Sequence, residues 1–241
     1  MSPSRRQLLL TGLAAALGGC ATPKARVGAR TRPTPSWPGA VAPPSAPVRQ
    51  VQAAPVLAPA RPADVAAKPA SLPGVTVVPR DQWARYGANT REIHAMAGIQ
   101  RITLHHEGAK PVSFRDYQRT AEHLERLRRS HVGSRGWSDL GYHFVVDRAG
   151  RVWEGRSLAY QGAHVRDHNP HNVGVMLLGN FERQAPTRAQ LRAAFNTVQG
   201  LKGKYGVPTR RVYTHRELVP TACPGRLLQA EIESARKQKL I

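Results

Sequence analysis

Cysteine is nearly missing. Cys20 and Cys223 are the only two in 241 residues, which excludes a disulfide-stapled fold, because such a framework takes four or more cysteines at patterned spacing. Acidic side chains are scarce too: 15 Asp and Glu stand against 36 Lys and Arg, for a formal charge of +21. That balance excludes a protein made for cationic partners and points to anionic ones, without choosing among lipid headgroups, nucleic acid and acidic polymers. Nucleic acid is the weaker choice, because basic and aromatic residues do not interleave and no nucleic-acid motif occurs. The apolar stretch at residues 8–17 has about ten residues, too few for a bilayer-crossing helix of roughly 20. No internal repeat is visible.

That stretch fits another purpose. Arg5 and Arg6 precede it and Leu17-Gly18-Gly19-Cys20 closes it, the charged start, apolar core and small-residue end of an export signal. The arginine pair resembles a twin-arginine signal, and Leu17–Cys20 resembles a lipobox, in which cleavage leaves Cys20 as a lipidated first residue. Ordinary cleavage beside an incidental cysteine is the alternative. With Ala21 next, resemblance to enterobacterial lipoproteins implies a periplasm-facing anchor in the outer membrane. Residues 21–74 then hold 12 of the 20 prolines and a single acidic residue, Asp64. A segment so poor in apolar periodicity cannot bury enough surface to offset its ordering entropy, so a disordered tether is expected.

The formal charge divides as +2 in residues 1–20, +6 in 21–74 and +13 in 75–241. Within 75–241 the pattern becomes that of a folded domain. Arg101–His106 alternates as a strand, with Ile102 and Leu104 on one side and Thr103 and His105 on the other. Ser113 with Asp116 suggests a helix start, followed by Phe114, Tyr117, Ala121, Leu124 and Leu127 at helical spacing. Tyr142–Asp147 and Arg151–Glu154 read as a hairpin across Arg148-Ala149-Gly150. Val173–Leu178 is a continuous apolar run that suits a strand buried on both faces. Thr187 with Gln190 opens a second helix, which Gly206 and Pro208 end; Arg211–Thr214 is a short strand and 227–237 a last helix. Strands alternating with helices predict one α/β domain with a central mixed β-sheet flanked by helices.

Two segments carry metal-type ligands: His105-His106 on the strand, and the run from His215 to Cys223-Pro224-Gly225. Two imidazoles and a thiolate with an open fourth position make a catalytic zinc site. Taken alone, Cys223 reads as a buried inert thiol. Adjacent strand residues point to opposite faces, so His105, on the side of Thr103, is the expected ligand and His106 a packed or supporting residue.

Seven blocks fall in order over nearly all of residues 75–241: Arg80–Trp83, Ile102–His106, Asp139–Asp147, Gly150–Arg156, Gly162–His164, Val173–Phe181 and His215–Gly225. Together they resemble the N-acetylmuramoyl-L-alanine amidase family that includes peptidoglycan recognition proteins and phage-lysozyme-type amidases. The resemblance implies a Zn2+ held by His105, His215 and Cys223, a catalytic Tyr142, an assisting Thr221 two residues before the cysteine, and His164 as a groove residue that contacts muropeptide. It also implies hydrolysis of the amide between N-acetylmuramic acid and L-alanine, with peptidoglycan as partner, no nucleic acid, and a monomer. Two positions depart from related patterns. Met176 stands where amidases with an acidic third ligand carry a glutamate, and Glu107-Gly108 replaces the usual small residues after the first motif. Glu107 is expected as a surface carboxylate, with a supporting or auxiliary-base role as the alternative. Family members that bind without hydrolysing typically lack the cysteine ligand, so Cys223 favours catalysis over a binding module.

Overall fold

The computed structural model describes residues 70–241. The export signal, Cys20 and residues 21–69 of the expected tether lie outside the described residues. Six strands form one sheet: β1 (Val77–Val78), β2 (Arg101–His106), β3 (Phe144–Val146), β4 (Val152–Glu154), β5 (Asn172–Leu177) and β6 (Val212–Thr214). Their order is β1-β4-β3-β5-β2-β6. The β3–β4 hairpin is antiparallel and the other four pairings are parallel, so the sheet is mixed. Three helices cover it: α1 (Tyr117–Arg135), α2 (Arg188–Tyr205) and α3 (Arg226–Lys237). Among the described residues no helix is long and apolar enough to cross a membrane.

The two-residue period of the strands sorts the core into two layers. Ile102, Leu104, Val173, Val175 and Leu177 pack with Ala194, Val198 and Leu201 of α2 and Leu228 and Ile232 of α3. On the opposite face Val145, Trp153, Met176 and Leu178 meet Ala121 and Leu124 of α1. Both faces of β5 are therefore dry, and every residue of that strand is buried. His105 stands on the α1 side, beside Met176 in register.

Helix ends differ from expectation in one place. Helix α1 begins at Tyr117 and not at Ser113, because the Asp116 carboxylate accepts the Arg119 N–H at 2.8 Å and serves as the cap. A carboxylate at a helix N-terminus is favoured both as an acceptor and by the helix dipole. Phe114 consequently lies before the helix. Helix α2 carries the full reciprocal box, with Thr187 and Gln190 each accepting the other's backbone N–H, and it ends at Gly206 in the left-handed region. Gln190 also donates to the Leu178 carbonyl at 2.9 Å, which ties the cap to the strand exit. The folded unit also starts earlier than Val75: Leu72 is 4% exposed and packs into the α2 layer.

Candidate metal centre

In open α/β sheets, ligands gather beyond the carboxyl ends of parallel strands. His105 lies one residue from the end of β2, and His215 directly follows β6, the parallel neighbour of β2. After His215 the chain makes one short turn, His215–Glu217, which is held when Glu217 accepts the Thr214 N–H at 2.7 Å. It returns with Arg216 N–H donating to the Cys223 carbonyl at 3.0 Å. Cys223 is thereby carried back to β2. One donor atom each from His105, His215 and Cys223 fall within 4.8 Å of one another.

The donors suit one ion. Cys223 Sγ is 3.6 Å from His105 Nδ1, close to the roughly 3.5 Å between a sulfur and a nitrogen sharing a tetrahedral zinc. The ring nitrogens are also assigned by their partners. His164 Nε2 faces the Asn172 carbonyl at 3.2 Å, and a carbonyl only accepts, so this nitrogen carries the proton. Its Nδ1 is then bare and accepts from His105 Nε2 at 3.1 Å. That leaves the lone pair of His105 Nδ1 free, on the side of the sulfur. Burial first, then the neighbouring His164 and His215, hold His105 neutral; burial does the same for His215. Burial pushes the Cys223 thiol up to about 12, against the His106 N–H and Arg216, so an ion binding there must displace a proton.

His106 turns to the other face. Its Nδ1 accepts the Phe181 N–H at 3.2 Å, while its own backbone N–H donates to Cys223 Sγ at 3.4 Å. Tyr142 is half-buried with its ring 5.2 Å from that of His105. Its backbone is held by the Arg156 N–H at 2.8 Å, and the Arg156 guanidinium spans the carbonyls of Asp139, Leu140 and Gln161. Burial, then the Cys223 sulfur and Glu107, push the Tyr142 phenol up, so it stays a donor. Thr221 is exposed, and its hydroxyl oxygen accepts the Cys223 N–H at 3.2 Å. His164 is 6% exposed and both of its ring nitrogens are engaged by the protein. A β-carbon on Gly162 or Gly174 would fall inside its ring envelope, so two glycines make its slot.

Glu107 is a correction. Its side chain is 6% exposed and not on the surface, with one oxygen 2.8 Å from His123 Nε2 on α1. Its companion oxygen Oε2 is buried with no hydrogen-bond partner among the described residues. Sequence reasoning also passed over His123 and Asn172. A signal existed for Glu107, which lies two residues past His105 and so on the same strand face; none existed for the other two.

A two-imidazole, one-sulfur cluster at the carboxyl ends of parallel strands makes a candidate metal site on an α/β domain. The chain belongs to the N-acetylmuramoyl-L-alanine amidase family, whose model matches residues 95–226. It is similar to the N-acetylmuramoyl-L-alanine amidase of Sus scrofa, 34% identical over 151 residues, which are 61% of this chain and 25% of that protein. The chain thus spans about a quarter of that relative's length. Peptidoglycan-recognition protein SC2 of Drosophila simulans is 29% identical over 162 residues, covering 67% of this chain and 86% of that one. Among solved structures, the ectodomain complex of peptidoglycan recognition proteins LCa and LCx bound to tracheal cytotoxin superposes with a TM-score of 0.60 at 29% identity, over 66% of this chain and 95% of that one.

Proposed function

We propose that the chain is a zinc-dependent amidase that hydrolyses the amide between the lactyl group of N-acetylmuramic acid and L-alanine in peptidoglycan. The convergence of His105, His215 and Cys223 within 4.8 Å, in a chain of this family, carries the reading. Zinc held by these three would supply a Lewis acid for the amide carbonyl and a water acidified toward neutral pH. The rest falls to side chains. Tyr142, kept protonated by burial, donates its hydroxyl to the carbonyl oxygen as negative charge develops there. Thr221 accepts the Cys223 N–H and still has a proton to donate toward the same oxygen. The muropeptide contact expected of His164 gives way to a supporting role: 6% exposed and with both ring nitrogens engaged, it would fix the His105 ring from behind. We assign Cys20 to a lipid anchor facing the periplasm, in the outer membrane, with the domain acting as a monomer.

The alternative reading is a module that binds muropeptide without cutting it. Cys223 favours catalysis, because a thiolate completes the ligand set. The deciding experiment is digestion of purified sacculi, with products resolved by mass spectrometry. Free stem peptides beginning at L-alanine and uncut glycan strands are expected, with none released by Cys223→Ser. Binding to sacculi without release would establish the module instead. Tyr142→Phe is expected to lower turnover about 100-fold with zinc retained; unchanged turnover removes the hydroxyl from this role.

A further inference from the structure

The lysines of the domain are sorted to one end. Five occur among the described residues: Lys110, Lys202, Lys204, Lys237 and Lys239. Lys110 follows β2 and lies beyond the carboxyl ends of the parallel strands, as the candidate metal ligands do. The other four stand in or just past the last turns of α2 and α3. Helix α2 starts where Gln190 donates to the Leu178 carbonyl, just past β5, and α3 where the Leu227 N–H donates to the Phe181 carbonyl. Both helices therefore run back along the sheet and finish at its amino end. Arg236 marks that end for α3 by donating to the carbonyl of Val212, the first residue of β6, at 2.8 Å. Arg210 and Arg211, both exposed, stand immediately before the same strand. None of these six cations is in an ion pair with a carboxylate of the described residues. Residues 183–216, which hold all of α2 and the approach to β6, contain eight basic residues and no Asp or Glu, so the cluster is not neutralised locally. Glu231 and Glu233 lie a turn or more back along α3.

The chain that leads from Cys20 joins the domain at this cluster. Lys204 Nζ donates to the Ser71 carbonyl at 2.7 Å. The Ala70 N–H donates to the Glu154 carboxylate at 3.1 Å, where β4 pairs with the start of β3. Resting on the lipid anchor assigned to Cys20 above, we propose that this end of the domain is a docking surface for anionic phospholipid headgroups. It seats the domain on the membrane with the candidate metal site turned away from it, toward the wall. Position favours phospholipid over wall polymer. His105 faces the α1 layer, whereas α2 and α3 cover the other face of the sheet, and the three ligands gather at the opposite ends of the strands. A glycan strand being cut must lie there, while a lipid on Cys20 brings the membrane to the end where the chain enters. Basic side chains are attracted to an anionic surface over a Debye length of about 8 Å at physiological salt. The anchor supplies that proximity, and the cluster then sets the orientation.

The test is lysine acetylation of the full mature chain, purified with whatever lipid it carries, with the modified positions located by mass spectrometry. Vesicles of phosphatidylglycerol mixed with phosphatidylcholine are compared with vesicles of phosphatidylcholine alone. On the anionic vesicles Lys202, Lys204, Lys237 and Lys239 are expected to react about 5-fold more slowly or less, with Lys110 unchanged as the internal control. On the neutral vesicles all five are expected to react as in solution. The double variant Arg210→Gln, Arg211→Gln keeps every reporter lysine. It is expected to lower the ratio of docked to undocked domain about 25-fold, at about 5-fold for each charge, while hydrolysis of a soluble muropeptide is unchanged. Equal protection on the two kinds of vesicle, or protection that extends to Lys110, overturns the proposal. Protection by sacculi and not by anionic vesicles assigns the face to wall polymer and overturns it as well. A chain that docks through these lysines on anionic vesicles but is not retained on neutral ones upholds the surface and removes the lipid anchor, which separates the two failures.

Discussion

An imidazole that gives one nitrogen to a metal must place its other N–H somewhere, and the choice fixes both tautomer and ring orientation. For His105 the recipient is His164, and the Asn172 carbonyl in turn anchors His164. His105, His164 and Asn172 are all buried, so no water competes for the bonds. Replacing the ring without its nitrogens, His164→Phe, should leave the His105 N–H unmatched and lower zinc affinity about 10-fold to 100-fold, as read by competition with a chromophoric chelator. An unchanged affinity would mean that packing alone orients His105. Arg156 works at the same scale on the other side of the site, where one guanidinium holds three carbonyls on either side of Tyr142.

At the scale of elements, the turn carrying His215 and Cys223 depends on α3. Arg236 of that helix meets Glu217 through both guanidinium nitrogens, at 2.6 and 2.8 Å. Burial works to raise the Glu217 carboxyl, but Arg236, the Thr214 N–H and Gln229 hold it below its ordinary value. A carboxyl depressed in the folded state contributes stability that is complete above its unfolded pKa and lost as pH falls through the folded one. Glu217→Gln should therefore cost about 1 kcal/mol at pH 7, and the gap to wild type should narrow as pH falls below the ordinary carboxyl value of about 4, measured by denaturant titration across that range. A gap that does not narrow at all as pH falls would assign the loss to shape and not to charge.

What could be read from the chain alone was local. Strand alternation separates His105 from His106, because a period of two needs only neighbours, and the Thr187–Gln190 box marks the start of α2 for the same reason. Contacts between distant segments were not legible. Leu72 is buried because Gly200 on α2 admits the backbone of Pro73 at close range, and Glu107 is buried because His123 on α1 lies over it. Ser113 and Asp116 both look like caps in sequence; only the path of the loop decides between them.

For the molecule as a whole, the candidate metal site would act as a long-range clasp. His105 and Cys223 are separated by 118 residues, and their meeting ties β2 to the segment that leads into α3. An ion that binds only this folded arrangement stabilises it by mass action, by about 4 kcal/mol at a thousandfold excess over its dissociation constant, so added zinc should raise the melting temperature of the metal-free protein. Under the proposed function the positive charge of +21 would draw anionic wall polymer, and binding to sacculi should weaken as salt rises. The most direct measurement is zinc-edge X-ray absorption on the purified chain together with its metal content. One zinc per chain is predicted, with one sulfur at about 2.3 Å and two nitrogens at about 2.0 Å, and the sulfur signal lost in Cys223→Ser. A zinc shell without sulfur, or a chain that takes up no zinc, would contradict it.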